Sequence, residues 1–142
     1  GAAAVVLLTA ADAKARGLTP LARIVAHATH SQEPEWFTTA PVGAIGKVLE
    51  KAGWNIADVD LFEINEAFAV VAMAPMRELG IPRDKINVNG GACALGHPIG
   101  ASGARLVVTL LNALKTRGLK RGIATLCIGG GEATAIAVES VD

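Results

Sequence analysis

Residues 87–103 read Asn-Val-Asn-Gly-Gly-Ala-Cys-Ala-Leu-Gly-His-Pro-Ile-Gly-Ala-Ser-Gly, and no other stretch restricts the shape of the chain so strongly. Glycine admits positive φ and lets a second backbone or a ligand come close. His97 lies between Gly96 and Pro98, and the proline biases it away from helical geometry. An apolar segment of helical pattern begins directly afterwards. The imidazole is therefore carried on a shaped turn at the start of a helix. There it is a candidate acid–base or nucleophile-activating group. The same pattern also fits a histidine that only shapes the turn.

Composition narrows the class. A length of 142 residues permits one domain with a real core. Hydrophobic residues make up 51%, charged residues 18%, and the formal net charge is zero. That balance gives no electrostatic ground for a nucleic-acid or anionic-membrane partner. The uninterrupted apolar runs fall short of the ~18 residues needed to cross a bilayer. Cys93 and Cys127 could form one disulfide, but two cysteines do not make a stapled scaffold. Neither stands in metal-ligand spacing with His27, His30 or His97.

Taken in order, residues 2–8 are small, apolar and β-branched, which fits a buried strand. Thr9 can cap a helix over 10–16, with Gly17 as its stop. Residues 21–29 read as a strand, and 31–39 as a loop containing Pro34, Trp36 and Phe37. Those aromatics could line a ligand tunnel or pin the loop to the body. Pro41 suits the first turn of a helix reaching Ala52. Residues 61–64 read as a buried strand that presents Asn65 and Glu66 at its carboxyl end, where ligands of open α/β sheets bind. Residues 67–79 read as a helix interrupted by Pro75, and 101–116 as the longest helix. Residues 122–128 and 134–140 read as two strands closing a hairpin through Gly129-Gly-Gly-Glu132.

Gly90-Gly-Ala-Cys-Ala-Leu-Gly-His-Pro-Ile-Gly-Ala-Ser-Gly103 resembles the histidine loop of the thiolases. Asn65-Glu-Ala-Phe68 before it and Cys127-Ile-Gly-Gly-Gly131 after it agree with the same family, in the right order. Three ordered blocks are far more specific than any one. The resemblance covers the whole chain but only the C-terminal part of a thiolase. The half that bears the family's acyl-accepting cysteine has no counterpart here. The abrupt start at Gly1 reads as a cut, so a targeting signal would lie upstream, and cytoplasmic placement is the expectation. Residues 1–18 are expected to finish the preceding portion and 19–142 to form the C-terminal domain.

The resemblance implies an α/β fold: a thiolase-type C-terminal half in which a mixed sheet is layered with helices. It also implies reversible Claisen condensation of two acetyl-CoA molecules, or thiolysis of 3-ketoacyl-CoA, by ping-pong acyl transfer in fatty acid metabolism. The short-chain biosynthetic type is favoured by the glycine loop. Such chemistry needs a nucleophile, a base for an α-proton, and donors for two thioester oxygens. By resemblance, His97 activates the nucleophile and donates to the enolate oxygen, and Asn65 holds a water beside it. Cys127 moves the α-proton, and the Gly129 N–H serves the second oxyanion. Phe37, Ala67 and Phe68 are placed along the substrate, Phe37 near the pantetheine arm. Cys93 and Glu66 are read as structural, and His27 and His30 as residues without chemistry. No cofactor or metal is called for, since coenzyme A thioesters are the substrates. Expected partners are the other thiolase half and further copies in a homodimer or homotetramer. Rival readings are a ketoacyl-synthase-type condensing enzyme, a non-catalytic lipid-binding domain, and a Cys–His hydrolase. The terminal cysteine block argues against the first, and retention of Asn65, His97 and Cys127 together against the second. The third would hydrolyse thioesters without a second acyl acceptor.

Overall fold

A computed structural model describes residues 1–141. In chain order the elements are α1 (Ala10–Ala15), β1 (Ala22–Ser31), α2 (Ala40–Ala52), β2 (Leu61–Ile64), α3 (Ala69–Glu78), α4 (Ala92–Leu95), α5 (Ile99–Arg117), β3 (Arg121–Ile128) and β4 (Glu132–Ser140). The four strands form one mixed sheet in the order β1-β4-β3-β2. β4 runs antiparallel to both neighbours, and β2 runs parallel to β3. This is the mixed sheet layered with helices that the resemblance implied.

Side-chain alternation along the strands separates two cores. Ala133, Ala135 and Ala137 of β4 face α2, joined by Phe62, Ile64, Ile123, Ile45, Val48 and Leu49. Alanine on the strand side lets α2 lie close to the sheet. On the opposite face Leu106, Leu110, Ala113 and Leu114 of α5 cover Leu61, Ala124 and Val138. α5 leaves part of that face bare, where a hollow of about 330 Å³ is lined by His27, Leu106, Leu126 and Ile136.

Three expectations change in detail. Residues 2–8 form no strand and are largely exposed, because β1 has only β4 beside it and no partner strand runs along this segment. α3 begins at Ala69 rather than Ala67: Phe68 is extended at φ −141°, ψ 153°, so the Asn65–Phe68 segment is a turn and not a helix start. Pro75 sits inside α3 without breaking it, and Leu79 N–H still donates to Pro75 O at 3.0 Å. The two cysteines are both free.

Candidate active site

Every residue of β2 is buried, and the strand ends by delivering Asn65, a polar side chain with 0% exposure. Asn65 N–H donates to Thr125 O at 3.0 Å, which carries the parallel β2–β3 pairing one residue past the strand. On the other side β2 is an edge, and Asn87 closes it. Asn87 holds φ +47°, a left-handed conformation that asparagine tolerates better than most residues. Its Oδ1 accepts from Ile64 N–H at 2.8 Å, and its Nδ2 donates to Ile64 O at 2.8 Å and to Glu66 Oε1 at 2.9 Å. One side-chain amide thus replaces a missing strand at the residue before Asn65. Glu66 Oε2 accepts from Cys93 N–H at 3.0 Å, tying the turn after β2 to the glycine loop. Gly91 is required for that contact, since a Cβ there would stand 2.3 Å from the Glu66 carboxyl carbon. Burial alone would raise the Glu66 pKa, but hydrogen bonds from Cys93 and Asn87 outweigh it and hold the carboxyl below its ordinary range.

His97 is half-buried between the short α4 and the start of α5. Asn65 Nδ2 lies 3.4 Å from His97 Nε2, and Ser102 Oγ lies 2.6 Å from His97 Nδ1. Ser102 also donates its hydroxyl hydrogen to Pro98 O at 3.1 Å. A hydroxyl has one hydrogen, so toward the ring Ser102 accepts. Nδ1 of the neutral ring then carries the proton, and Nε2 offers its lone pair toward Asn65. Ser102 is fully buried in the first turn of α5.

Two charged side chains stand behind Asn65. Arg105 Nη2 donates to Asn65 Oδ1 at 3.3 Å, and Arg105 Nη1 lies 3.5 Å from Glu63 Oε2. Glu63 points from β2 toward α5 and is 1% exposed, and its Oε1 has no partner among the described residues. Loss of hydration is the main force on Glu63; it outweighs the opposing Arg105 charge and, with a smaller push from Glu66, moves the carboxyl up to about 7.

Cys127 and Gly129 lie at the same end of the sheet, because β2 and β3 are parallel and both finish there. Cys127 is half-buried, and that burial pushes its thiol pKa up. Gly129, exposed, opens the three-residue turn to β4. Within the turn Gly130 and Gly131 have φ +85° and +84°. Gly131 O accepts from Gln32 N–H at 3.1 Å, and a Cβ on Gly131 would stand 2.3 Å from Gln32 O. The Gln32 side chain donates to Trp36 O at 2.6 Å and Thr39 Oγ1 at 2.8 Å, so the turn and the loop bearing Phe37 are held by one residue. Phe37 and Phe68 meet edge to face, with ring centroids 6.1 Å apart.

Asn65 and His97 are therefore brought into contact, and so are Phe37 and Phe68, and Ala67 lies in the chain segment that joins Asn65 to Phe68. No hydrogen bond among the described residues joins Cys127 or Gly129 to His97. Asn65 does not cap α3, whose N-cap is Phe68. Asn87, Ser102, Arg105, Glu63 and Gln32 went unread in the sequence. Glu63 in an otherwise apolar strand, and Arg105 on the inner side of α5, were the available signals. Among the described residues no three His, Cys, Asp or Glu side chains gather as a metal site.

A half-buried histidine beside a buried amide, at the carboxyl end of β2, is an arrangement that can take up a proton and donate to a developing oxyanion. The chain belongs to the thiolase family as a C-terminal domain: the family description "Thiolase, C-terminal domain" matches residues 18–140. It is 55% identical over 139 residues to an acetyl-CoA acetyltransferase of Rhizobium meliloti (strain 1021), covering 98% of this chain and 35% of that protein. It is 53% identical to the cytosolic acetyl-CoA acetyltransferase of Mus musculus, with the same coverage of 98% and 35%. The crystal structure of the Bacillus anthracis acetyl-CoA acetyltransferase superposes with a TM-score of 0.90 at 48% identity, over 93% of this chain and 34% of that one. Human mitochondrial 3-ketoacyl-CoA thiolase in complex with CoA gives 0.91 at 43% identity, over 94% and 34%. The chain thus spans about a third of the length of the curated relatives it matches.

Proposed function

We propose that this domain supplies the proton-handling half of an acetyl-CoA C-acetyltransferase, which condenses two acetyl-CoA molecules or cleaves a 3-ketoacyl-CoA with coenzyme A. The contact between Asn65 Nδ2 and His97 Nε2 carries the reading, because it leaves Nε2 as the basic nitrogen. In the proposed mechanism His97 Nε2 takes and keeps the thiol proton of a cysteine supplied by the rest of the protein; the thiolate attacks the first thioester and expels coenzyme A as a thiolate, which solvent protonates. The protonated ring and the Asn65 amide, with a water it holds, then donate to the oxygen of the second thioester. Charge on that oxygen develops as Cys127, having given its own proton to solvent, removes the α-proton as a thiolate. The Gly129 N–H donates to the oxygen of the acyl-enzyme while the carbon–carbon bond forms, and the cysteine that leaves as a thiolate takes back the proton held by His97. In the thiolysis direction Cys127 returns the proton, a task suited to a thiol whose pKa is raised by burial.

Phe37, Ala67 and Phe68 line the path of the coenzyme A arm. The edge-to-face pair of Phe37 with Phe68 supports this by giving that path an apolar wall. Coenzyme A thioesters enter as substrates, and no metal or further cofactor takes part. The intact protein acts in the cytoplasm as a homodimer or homotetramer. Exposed apolar side chains on and before α3, Phe68 at 60% and Met73 at 59%, support burial by another layer.

The test uses the intact enzyme. Cys127→Ala should lower condensation by ~10²–10⁴-fold while sparing acetyl exchange between acetyl-CoA and labelled coenzyme A. His97→Ala should damage both reactions, and the 142-residue chain alone should perform neither. Acetyl exchange lost as severely as condensation in Cys127→Ala sinks the division of labour. Turnover by the isolated chain would instead revive Cys127 as a nucleophile.

A further inference from the structure

Two ionisable side chains, one partly and one fully buried, are left without a task by that mechanism. Arg105 is a side chain of α5 with 18% exposure, and Glu63 a side chain of β2 with 1%. Burying an ion pair of this kind costs hydration that its mutual attraction does not fully return. The pair also has one orphaned carboxylate oxygen, Glu63 Oε1, among the described residues. A stabilising role alone does not explain it.

Arg105 has donors and no acceptor. Whatever atom of Asn65 it meets must be the oxygen, so the NH₂ end of the amide faces His97. An NH₂ facing Nε2 requires a lone pair there and places the ring proton on Nδ1, where Ser102 receives it. Without Arg105 the two ends of the Asn65 amide are nearly equal in shape. A turned amide presents its oxygen to the ring and favours a proton on Nε2. Ser102 can follow, by giving its hydrogen to Nδ1 instead of Pro98 O. That turn of Ser102 gives up its 3.1 Å bond to Pro98 O, the one other contact in the described network that favours a proton on Nδ1.

We propose that Arg105, seated on Glu63, is a positioning residue that fixes the Asn65 amide and through it the nitrogen of His97 that is free to act as a base. The proposal rests on the catalytic reading of Asn65 and His97. It assigns Arg105 no contact with substrate, so its loss lowers kcat and leaves KM in place.

The experiment uses the intact enzyme with Arg105→Met, Asn65→Ala and the double variant, plus ¹⁵N-histidine spectra that report which ring nitrogen of His97 is protonated. Arg105→Met is expected to lower kcat by ~10–100-fold, the range in which misorientation of a reacting group is felt. In the Asn65→Ala background the same change should cost less than about threefold, because its effect passes through Asn65. The spectra should show the proton on Nδ1 in the parent and a shift toward Nε2 in Arg105→Met. Arg105→Lys keeps the cation but not the fork that spans two partners. It is expected to be intermediate in both readouts, and it serves as the test variant if Arg105→Met does not fold. Additive losses in the double variant, or an unmoved ring proton, overturn the proposal. If Asn65→Ala and His97→Ala both keep full activity, the catalytic reading fails instead. The spectra still decide whether Arg105 sets the ring.

Discussion

Asn87→Ala removes the side-chain amide that closes the free edge of β2. Ile64 N–H and Ile64 O lose bonds of 2.8 Å each, and both lie where water does not reach, since Ile64 is 0% exposed. Each orphaned buried polar group costs about 1–3 kcal/mol. Alanine must also hold φ +47°, which adds about 1 kcal/mol. The expected loss is about 5 kcal/mol, a large part of the ~5–15 kcal/mol that keeps a domain folded. Asn87→Gly separates the terms: it accepts the same φ freely and loses the same bonds, so it should be about 1 kcal/mol less damaging than alanine. Equilibrium urea unfolding of the three proteins at pH 7 measures this. A loss below about 1 kcal/mol for Asn87→Ala would show that a water or a relaxed backbone takes over the amide's bonds, and the edge argument would be wrong.

Two further outcomes follow from the same neighbourhood. Glu63 binds its proton more tightly when folded, up to about 7 against an ordinary 4.5, so its contribution favours the folded state below 4.5 and is lost as pH rises through 7. At about 1.4 kcal/mol per pH unit this is a loss of roughly 3 kcal/mol. Glu63→Gln should flatten that decline in unfolding free energies measured from pH 4.5 to 7.5, and an unchanged slope would contradict it. Gly131→Ala sets a methyl 2.3 Å from Gln32 O at φ +84°. It should lower stability by ~1–3 kcal/mol and displace the Gly129 turn, which a crystal structure of the variant would register; a turn left in place with stability intact would show that Gln32 gives way.

The elements were legible where periodicity and punctuation agree. The reading from Pro41 to Ala52 and that of 101–116 came within two residues of the ends of α2 and α5. The hairpin of β3 and β4 followed from alternation around three glycines. The error at residues 2–8 has a plain cause: an apolar β-branched run records a preference for pairing, and here no strand lies alongside. The site was legible only as motifs. Asn65, His97, Cys127 and Gly129 stood out, while the groups that orient the first two did not. Arg105 and Glu63 are 42 positions apart, and Asn87 acts on Ile64 from 23 away. No local pattern marks a side-chain amide as a substitute strand.

The sheet order has a consequence for how the chain is made. β1 ends at Ser31, yet the strand it pairs with begins at Glu132, so 101 positions separate partners that touch in the finished sheet. At ~5–20 residues per second of synthesis, β1 has no neighbour for roughly 5–20 s after it emerges. Throughout that interval its amides and carbonyls remain an open template for any other extended chain nearby. β3 and β4, separated by three glycines, can zip together within microseconds of their appearance. The C-terminal hairpin can therefore close as soon as it appears, whereas β1, the oldest strand of the sheet, has to wait for it.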